Sequence, residues 1–239
     1  FPYTTLFRSI VSYLETIAPL SLQEGYDNAG LLTGNRKTEV TGALVCLDSL
    51  ESVIDEAIAL NCNLVIAHHP IIFGGLKRLN GNNYIERTII KAIKHDIAIY
   101  AMHTNLDNVR HGVNAKIAEK LGLTATRVLS PKQGILKKLV TFAPVANAGD
   151  VRFALFEAGG GHIGHYDHCS FSIEGTGTFR GDATTNPYVG TIGEDHFENE
   201  ERIEVIFPSY LQSKLLAALI KVHPYEEVAY DIYSLDNKF

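Results

Sequence analysis

The chain has little cysteine and no arrangement of it that does chemistry. Cys46, Cys62 and Cys169 are odd in number and widely spaced, with no CxxC pair. That excludes a disulfide scaffold and fits a reducing cytoplasm. Cys46 and Cys62 fall in or beside apolar runs, as core thiols do, and no cysteine sits in an activating context. There is no GxSxG nucleophile motif. Basic residues form no block or stripe, and with a net charge of −6 and a pI of about 5.9 a nucleic-acid surface is not expected. No apolar run approaches the roughly 18 residues of a membrane span. No basic segment precedes a long apolar one, so no signal peptide is expected either. Methionine is nearly absent: Met102 is the only one, and the chain opens on Phe1. The nonapeptide Phe1–Ser9, FPYTTLFRS, resembles one reading frame of a common sequencing adapter. We expect residues 1–9 to be a read artefact fused to a gene fragment, and leave them out of the fold reading. A natural apolar strand is the alternative.

What remains is ample for a core. The 239 residues, 46% hydrophobic and 20% charged, suffice for one large domain or two ordinary ones. Ile10 to Leu20 has helical apolar spacing that ends near Pro19. Tyr26-Asp27-Asn28-Ala29-Gly30 is a turn-rich loop. Strands are expected at Val40–Leu47, Leu64–Ala67 and Ile97–Ala101. Helices are expected at Glu51–Leu60, capped by Asp48-Ser49, and at Tyr84–His95 and Val113–Leu121, the last closed by Gly122. Alternating strands and helices with continuous apolar strands predict an α/β fold, a parallel sheet covered on both faces.

Composition shifts near Ser130-Pro131, which divides residues 10–130 from 131–236. In the second segment strands are expected at Leu139–Ala143, Cys169–Ile173, Ile203–Phe207 and Val228–Tyr233. Helices are expected at Gly149–Glu157 and Tyr210–Lys221. The pattern of strand, proline, helix, histidine-containing turn and strand occurs twice. This predicts a ferredoxin-like α+β unit, β-α-β-β-α-β.

The chemistry gathers where the second and third strands end, the usual ligand side of such sheets. Ala67-His68-His69-Pro70 closes one apolar run, and His103-Thr104-Asn105-Leu106-Asp107 closes another. Neutral imidazole is the commonest metal ligand and carboxylates bridge ions well. Successive strand residues point to opposite faces, but at a strand end, with Pro70 enforcing extended backbone on His69, both rings can reach one cleft. Asp107 could bridge two ions, with His103 beside the metal or one shell out. The competing reading is two loop histidines hydrogen-bonded to their neighbours and a turn carboxylate. Asp27-Asn28 reads first as an Asx-turn and second as a group that orients a site residue. Gly74-Gly75-Leu76-Lys77-Arg78 lacks the Walker spacing for a phosphate cradle. His162, His165 and His168 lie near Cys169 without a zinc-site spacing. His223-Pro224-Tyr225-Glu226-Glu227 is a ligand site, a subunit interface or a solvated turn. Glu194, Asp195, Glu198, Glu200 and Glu201 read as a solvated loop and edge.

Four of these stretches, taken in order, resemble one family. Gly25-Tyr26-Asp27-Asn28-Ala29-Gly30-Leu31, His68-His69-Pro70-Ile71-Ile72-Phe73, His103-Thr104-Asn105-Leu106-Asp107 and His223-Pro224-Tyr225-Glu226-Glu227 are similar to motifs of the NIF-three-like dinuclear metal-centre proteins, also called GTP cyclohydrolase 1 type 2 homologues. The resemblance runs from about Ile10 to Leu235. It implies a homohexamer with two divalent ions per subunit (zinc, iron or manganese) and the metal ligands His68, His69 and Asp107. It also implies an inserted ferredoxin-like domain of the PII and copper-tolerance kind, between two halves of the metal domain. Long members of the family supply a late His and Glu after the insert. Here the sequence stops at Phe239, and we expect the second half of the metal domain to be missing. His223 and Glu227 have a similar spacing but belong to the insert motif. Two functions follow as expectations: a metal-dependent hydrolase of a nucleotide or phosphoester, or a non-catalytic metal-binding, metal-delivery or regulatory protein. With three or four ligands where two ions need more, this chain alone is expected to bind metal weakly or not stably at all.

Overall fold

Hydrophobic spacing sets the first helix. Phe7, Val11, Leu14 and Ala18 recur at steps of four and three, and all are buried, so α1 (Phe7–Ile17) lays one stripe on the core. The computed structural model describes residues 5–237. The helix thus begins before the expected Ile10. Leu6 bridges Glu39 and Phe7 is 1% exposed, so residues 5–9 take part in the fold. Residues 1–4, the rest of the nonapeptide, lie outside the described residues. The helix stops at Ile17 rather than Leu20 because Pro19 disfavours helical backbone at Ala18, which takes φ −136° and ψ 87°.

Two units make up the chain, Phe1–Val128 and Leu129–Phe239. In the first, β1 (Gly30–Thr33), β2 (Ala43–Asp48), β3 (Leu64–His69) and β4 (Ala98–Ala101) form a sheet in the order β1-β4-β3-β2. The β2–β3 and β3–β4 pairs are parallel. The β1–β4 pair is antiparallel, which corrects the all-parallel expectation to a mixed sheet. Gly30–Thr33 is too short to show a period, and a loop rather than a crossover helix leads into it, so nothing imposes a parallel direction.

Both faces are covered, as expected. Leu64, Ala98 and Tyr100 pack on α1, while Val65 and Ile99 pack on α2 (Glu51–Ala59) and α3 (Tyr84–Lys94). Burying each large apolar side chain contributes about 1.5–3 kcal/mol. Asn83 caps α3, its Oδ1 accepting from the Glu86 N–H at 2.9 Å. The expected Asp48-Ser49 cap of α2 does not form: the N-cap is Leu50, with no side-chain bond. A short helix, α4 (Thr104–Asp107), and then α5 (Val113–Lys120) complete this unit.

The second unit runs β5 (Leu136–Pro144), α6 (Val145–Glu157), β6 (Phe171–Phe179), β7 (His196–Pro208), α7 (Gln212–Val222) and β8 (Tyr230–Ser234). Its sheet order is β6-β7-β5-β8, with every pair antiparallel. That is the split β-α-β order. Leu139, Ala143, Ile203, Val205 and Phe207 face Val151, Leu155, Leu215 and Leu219 of the helices. The acidic run is not a solvated loop throughout. Strand β7 already begins at His196, and Glu200 lies inside it, 8% exposed.

Candidate metal centre

Three histidines come together at the carboxyl ends of β3 and β4. One ring nitrogen from each of His68, His69 and His103 lies within 4.8 Å of the others. Their ring centroids are 4.9 to 5.6 Å apart. His68 and His69 are the last two residues of β3 rather than residues beyond it. His103 is the N-cap of α4, at φ −110° and ψ −117°. Its ring nitrogen is one of the three that lie close together. Phe73 packs edge-on against it at 6.1 Å.

Each ring is held by the same nitrogen. His68 Nδ1 donates to the Met102 carbonyl, His69 Nδ1 to Asp48 Oδ1 and His103 Nδ1 to Asp27 Oδ1, all at 2.8 Å. A carbonyl or carboxylate oxygen can only accept, so each Nδ1 carries a proton, and in the neutral ring that leaves the Nε2 lone pair for a ligand. Carboxylates and carbonyls on the far nitrogen are the usual supports of metal-binding imidazoles. The residues present therefore fit a divalent ion.

Asp27 is the most constrained of these supports. Its side chain is fully buried. It accepts from His103, from the backbone N–H groups of Asn28 (2.7 Å) and Thr104 (3.0 Å), and from the Thr104 hydroxyl. Burial alone would raise its pKa. The Thr104 hydroxyl, the His103 ring and the two N–H groups outweigh that and hold the carboxyl below the usual range. The expected Asx-turn does not form, since the Ala29 N–H, two residues on, donates to Gln23 Oε1 at 3.0 Å; the second reading holds, and the carboxylate orients His103. The segment after His103 is locked further: Asn105 Nδ2 donates to the Ala18 carbonyl at 2.7 Å, and Asn108 Nδ2 to that of Leu22 at 2.8 Å.

Asp48 was not singled out in the sequence as a site residue. It ends β2 directly opposite His69 in the parallel register, and that pairing is the signal that finds it. Asp107 closes α4 and is not a member of the close group. Gly74–Arg78 lies in the exposed loop after β3. Among the described residues His162, His165, His168 and Cys169 form no comparable cluster, and His168 instead stacks on Phe156 at 4.6 Å. No helix among the described residues is long and apolar enough to cross a membrane.

Comparison with known proteins gives the family. A Halalkalibacterium halodurans protein named GTP cyclohydrolase 1 type 2 homolog is 45% identical over 232 residues, 97% of this chain and 62% of its own length. The Bacillus subtilis protein of that name is 44% identical over 230 residues, 96% of this chain and again 62% of its own. The chain therefore spans under two thirds of the length of these relatives. The crystal structure of a Bacillus cereus protein related to NIF3 superimposes with a TM-score of 0.83 at 46% identity, over 98% of this chain and 63% of that one. The family model Duf34/NIF3 (NGG1p interacting factor 3) matches residues 5–219, and the chain belongs to that family.

Proposed function

We propose that this chain carries part of the centre of a metal-dependent hydrolase acting on a nucleotide or another phosphoester. The observation that supports it best is the convergence of three imidazoles, each with Nδ1 held and Nε2 left for an ion. His68, His69 and His103 would hold one ion, and zinc, iron or manganese suits them. Asp107, one short helix beyond His103, would serve a second ion together with the late His and Glu that the family resemblance implies. When bound, such ions supply Lewis-acid polarisation of a phosphoryl or ring-carbon centre and acidify water near neutral pH. Asp27, Asp48 and the Met102 carbonyl keep the three rings in the metal-binding tautomer. The relatives' name, GTP cyclohydrolase 1 type 2 homolog, favours a nucleotide substrate. We read the second unit as the inserted ferredoxin-like domain, the intact protein as a homohexamer, and its compartment as a reducing cytoplasm.

Calorimetric titration with Zn²⁺ or Mn²⁺, followed by a screen of nucleotides and phosphoesters on the intact protein, tests this. This chain should take up one ion, weakly, and lose it in His103→Ala. The intact protein should take up two and turn over a screened substrate. Two tight sites on this chain alone would overturn the division of ligands. Saturated metal with no turnover across the screen would overturn the hydrolase and leave a metal-binding or delivery protein.

A further inference from the structure

The motif His223-Pro224-Tyr225-Glu226-Glu227 takes no part in the histidine cluster, and it is not a solvated turn. His223 is 7% exposed. Its Nε2 donates to the Phe142 carbonyl at 2.8 Å, and its Nδ1 accepts from the Tyr225 N–H at 3.1 Å. This clamp positions Tyr225, whose hydroxyl donates to Glu200 Oε1 at 2.8 Å. The other carboxylate oxygen, Oε2, packs so closely on Gly177 of β6 that any Cβ there would collide with it. A glycine Cα is no conventional donor, so Oε2 keeps its acceptor capacity.

Tyr225, Glu200 and Gly177 form one wall of a cavity of about 650 Å³ within the second unit. That is within the range of small-molecule sites, roughly 300–1,000 Å³. Phe142, Phe179, Tyr188 and Tyr225 line it with aromatic surface. The Phe179 and Tyr188 rings lie 5.9 and 6.2 Å from that of Tyr225. The loop between β6 and β7 brings Tyr188 there and is pinned by Asn186, whose N–H donates to Glu226 Oε1 at 2.8 Å.

Charge narrows the ligand. Arg180 and Arg202 also line the cavity, but they already pair with Asp195 at 3.4 Å and Glu204 at 2.9 Å. Glu200 has a neutral hydroxyl as its partner. Burial first, and then Glu200 itself, hold that hydroxyl protonated well above the usual phenol range. A buried carboxylate without a paired cation repels phosphate and accepts strongly from N–H groups.

We propose that this cavity binds a small planar nitrogen heterocycle or aromatic amidine, neutral or cationic, that donates N–H to Glu200 and stacks on the surrounding rings. Nucleosides and aromatic amidines share that chemistry. Titration calorimetry on the full chain, with adenosine, guanosine, cytidine and benzamidine as probes, distinguishes them. At least one probe should bind saturably, one per chain. Glu200→Gln should weaken it about tenfold or more. Tyr188→Ala, at a residue 55% exposed and so safe for folding, should weaken it about fivefold or more. If a nucleoside binds, its 5′-monophosphate should bind more weakly. His103→Ala should change nothing here, which separates this site from the metal centre. No binding by any probe at millimolar concentration, unchanged affinity in both Glu200→Gln and Tyr188→Ala, or tighter binding of a monophosphate than of its nucleoside would each overturn the proposal.

Discussion

In the two units, histidine and carboxylate exchange roles. In the first, the rings keep a free nitrogen and the carboxylates are committed: Asp27 accepts from four groups, and Asp48 holds His69. In the second, His223 has both nitrogens bonded to backbone, and Glu200 keeps an oxygen. The group with spare bonding capacity marks the place where a ligand would go, and the saturated group is the strut that aims it. Residue type alone does not separate the two cases. Each motif is a histidine near a proline at the end of a regular element, and what distinguishes them is the count of nitrogens left over.

The largest test of this contrast is removal of a ring from each unit. His223→Ala deletes two buried hydrogen bonds and leaves the Phe142 carbonyl without its partner. It should cost about 2–4 kcal/mol, with faster amide exchange across residues 136–234. His68→Ala removes a single bond from a partly exposed ring and should cost about 1 kcal/mol or less, while abolishing metal uptake. Urea unfolding of the two variants gives the comparison, and equal losses would break it.

The sequence made part of this legible. The tandem His68-His69 announces itself because two imidazoles close an apolar run before a proline, and α1 follows from its 3.6-residue period. Strand β1 did not show, since four residues carry no period. His103 was visible, but its closeness to the other two rings was not, since that depends on the backbone turn at the start of α4. Asp48 was hidden for a related reason. Next to Ser49 it reads as a helix cap, and only the register of β2 against β3 sets it opposite His69. Glu200 was concealed inside an acidic run. Glu194 and Glu200 look alike in composition, yet the first is exposed in a loop and the second is pressed on Gly177. Long-range register creates that difference, and one-dimensional charge patterning does not record it.

A smaller effect separates the two supporting carboxylates. Asp27→Asn replaces a fully buried acceptor of four donors with a group that must offer N–H on one side. It should cost about 1–3 kcal/mol. Asp48→Asn, at a side chain 50% exposed, should change stability by about 0.5 kcal/mol or less. It should nevertheless weaken metal binding about tenfold to a hundredfold, because the His69 tautomer is no longer fixed. Zinc competition and urea unfolding on the same samples read the two effects separately. A stability loss in Asp48→Asn as large as that in Asp27→Asn would show that both are struts of the fold.

The smallest effect is in pH, and it has the same sign but a different window in the two units. Burial, opposed by the Phe142 carbonyl and by Glu200, holds the pKa of His223 below its ordinary value. The folded state therefore favours the neutral ring, and the unfolded chain takes up the proton first. The contribution of His223 is fully present above the unfolded pKa of about 6.5 and is lost as pH falls from there through the folded pKa. Asp27 is depressed by its hydrogen bonds and favours the charged form in the folded state. Its contribution is intact above about pH 3.9 and is lost only as the solution becomes more acid than that. Between pH 7 and 5, then, His223 should loosen the second unit while Asp27 leaves the first unchanged. Amide exchange at the two pH values, corrected for intrinsic rates, should show a loss of protection in residues 136–234 that disappears in His223→Gln. A pH dependence that survives this substitution would mean that another group titrates there, and that the His223 clamp is not held by its neutral ring.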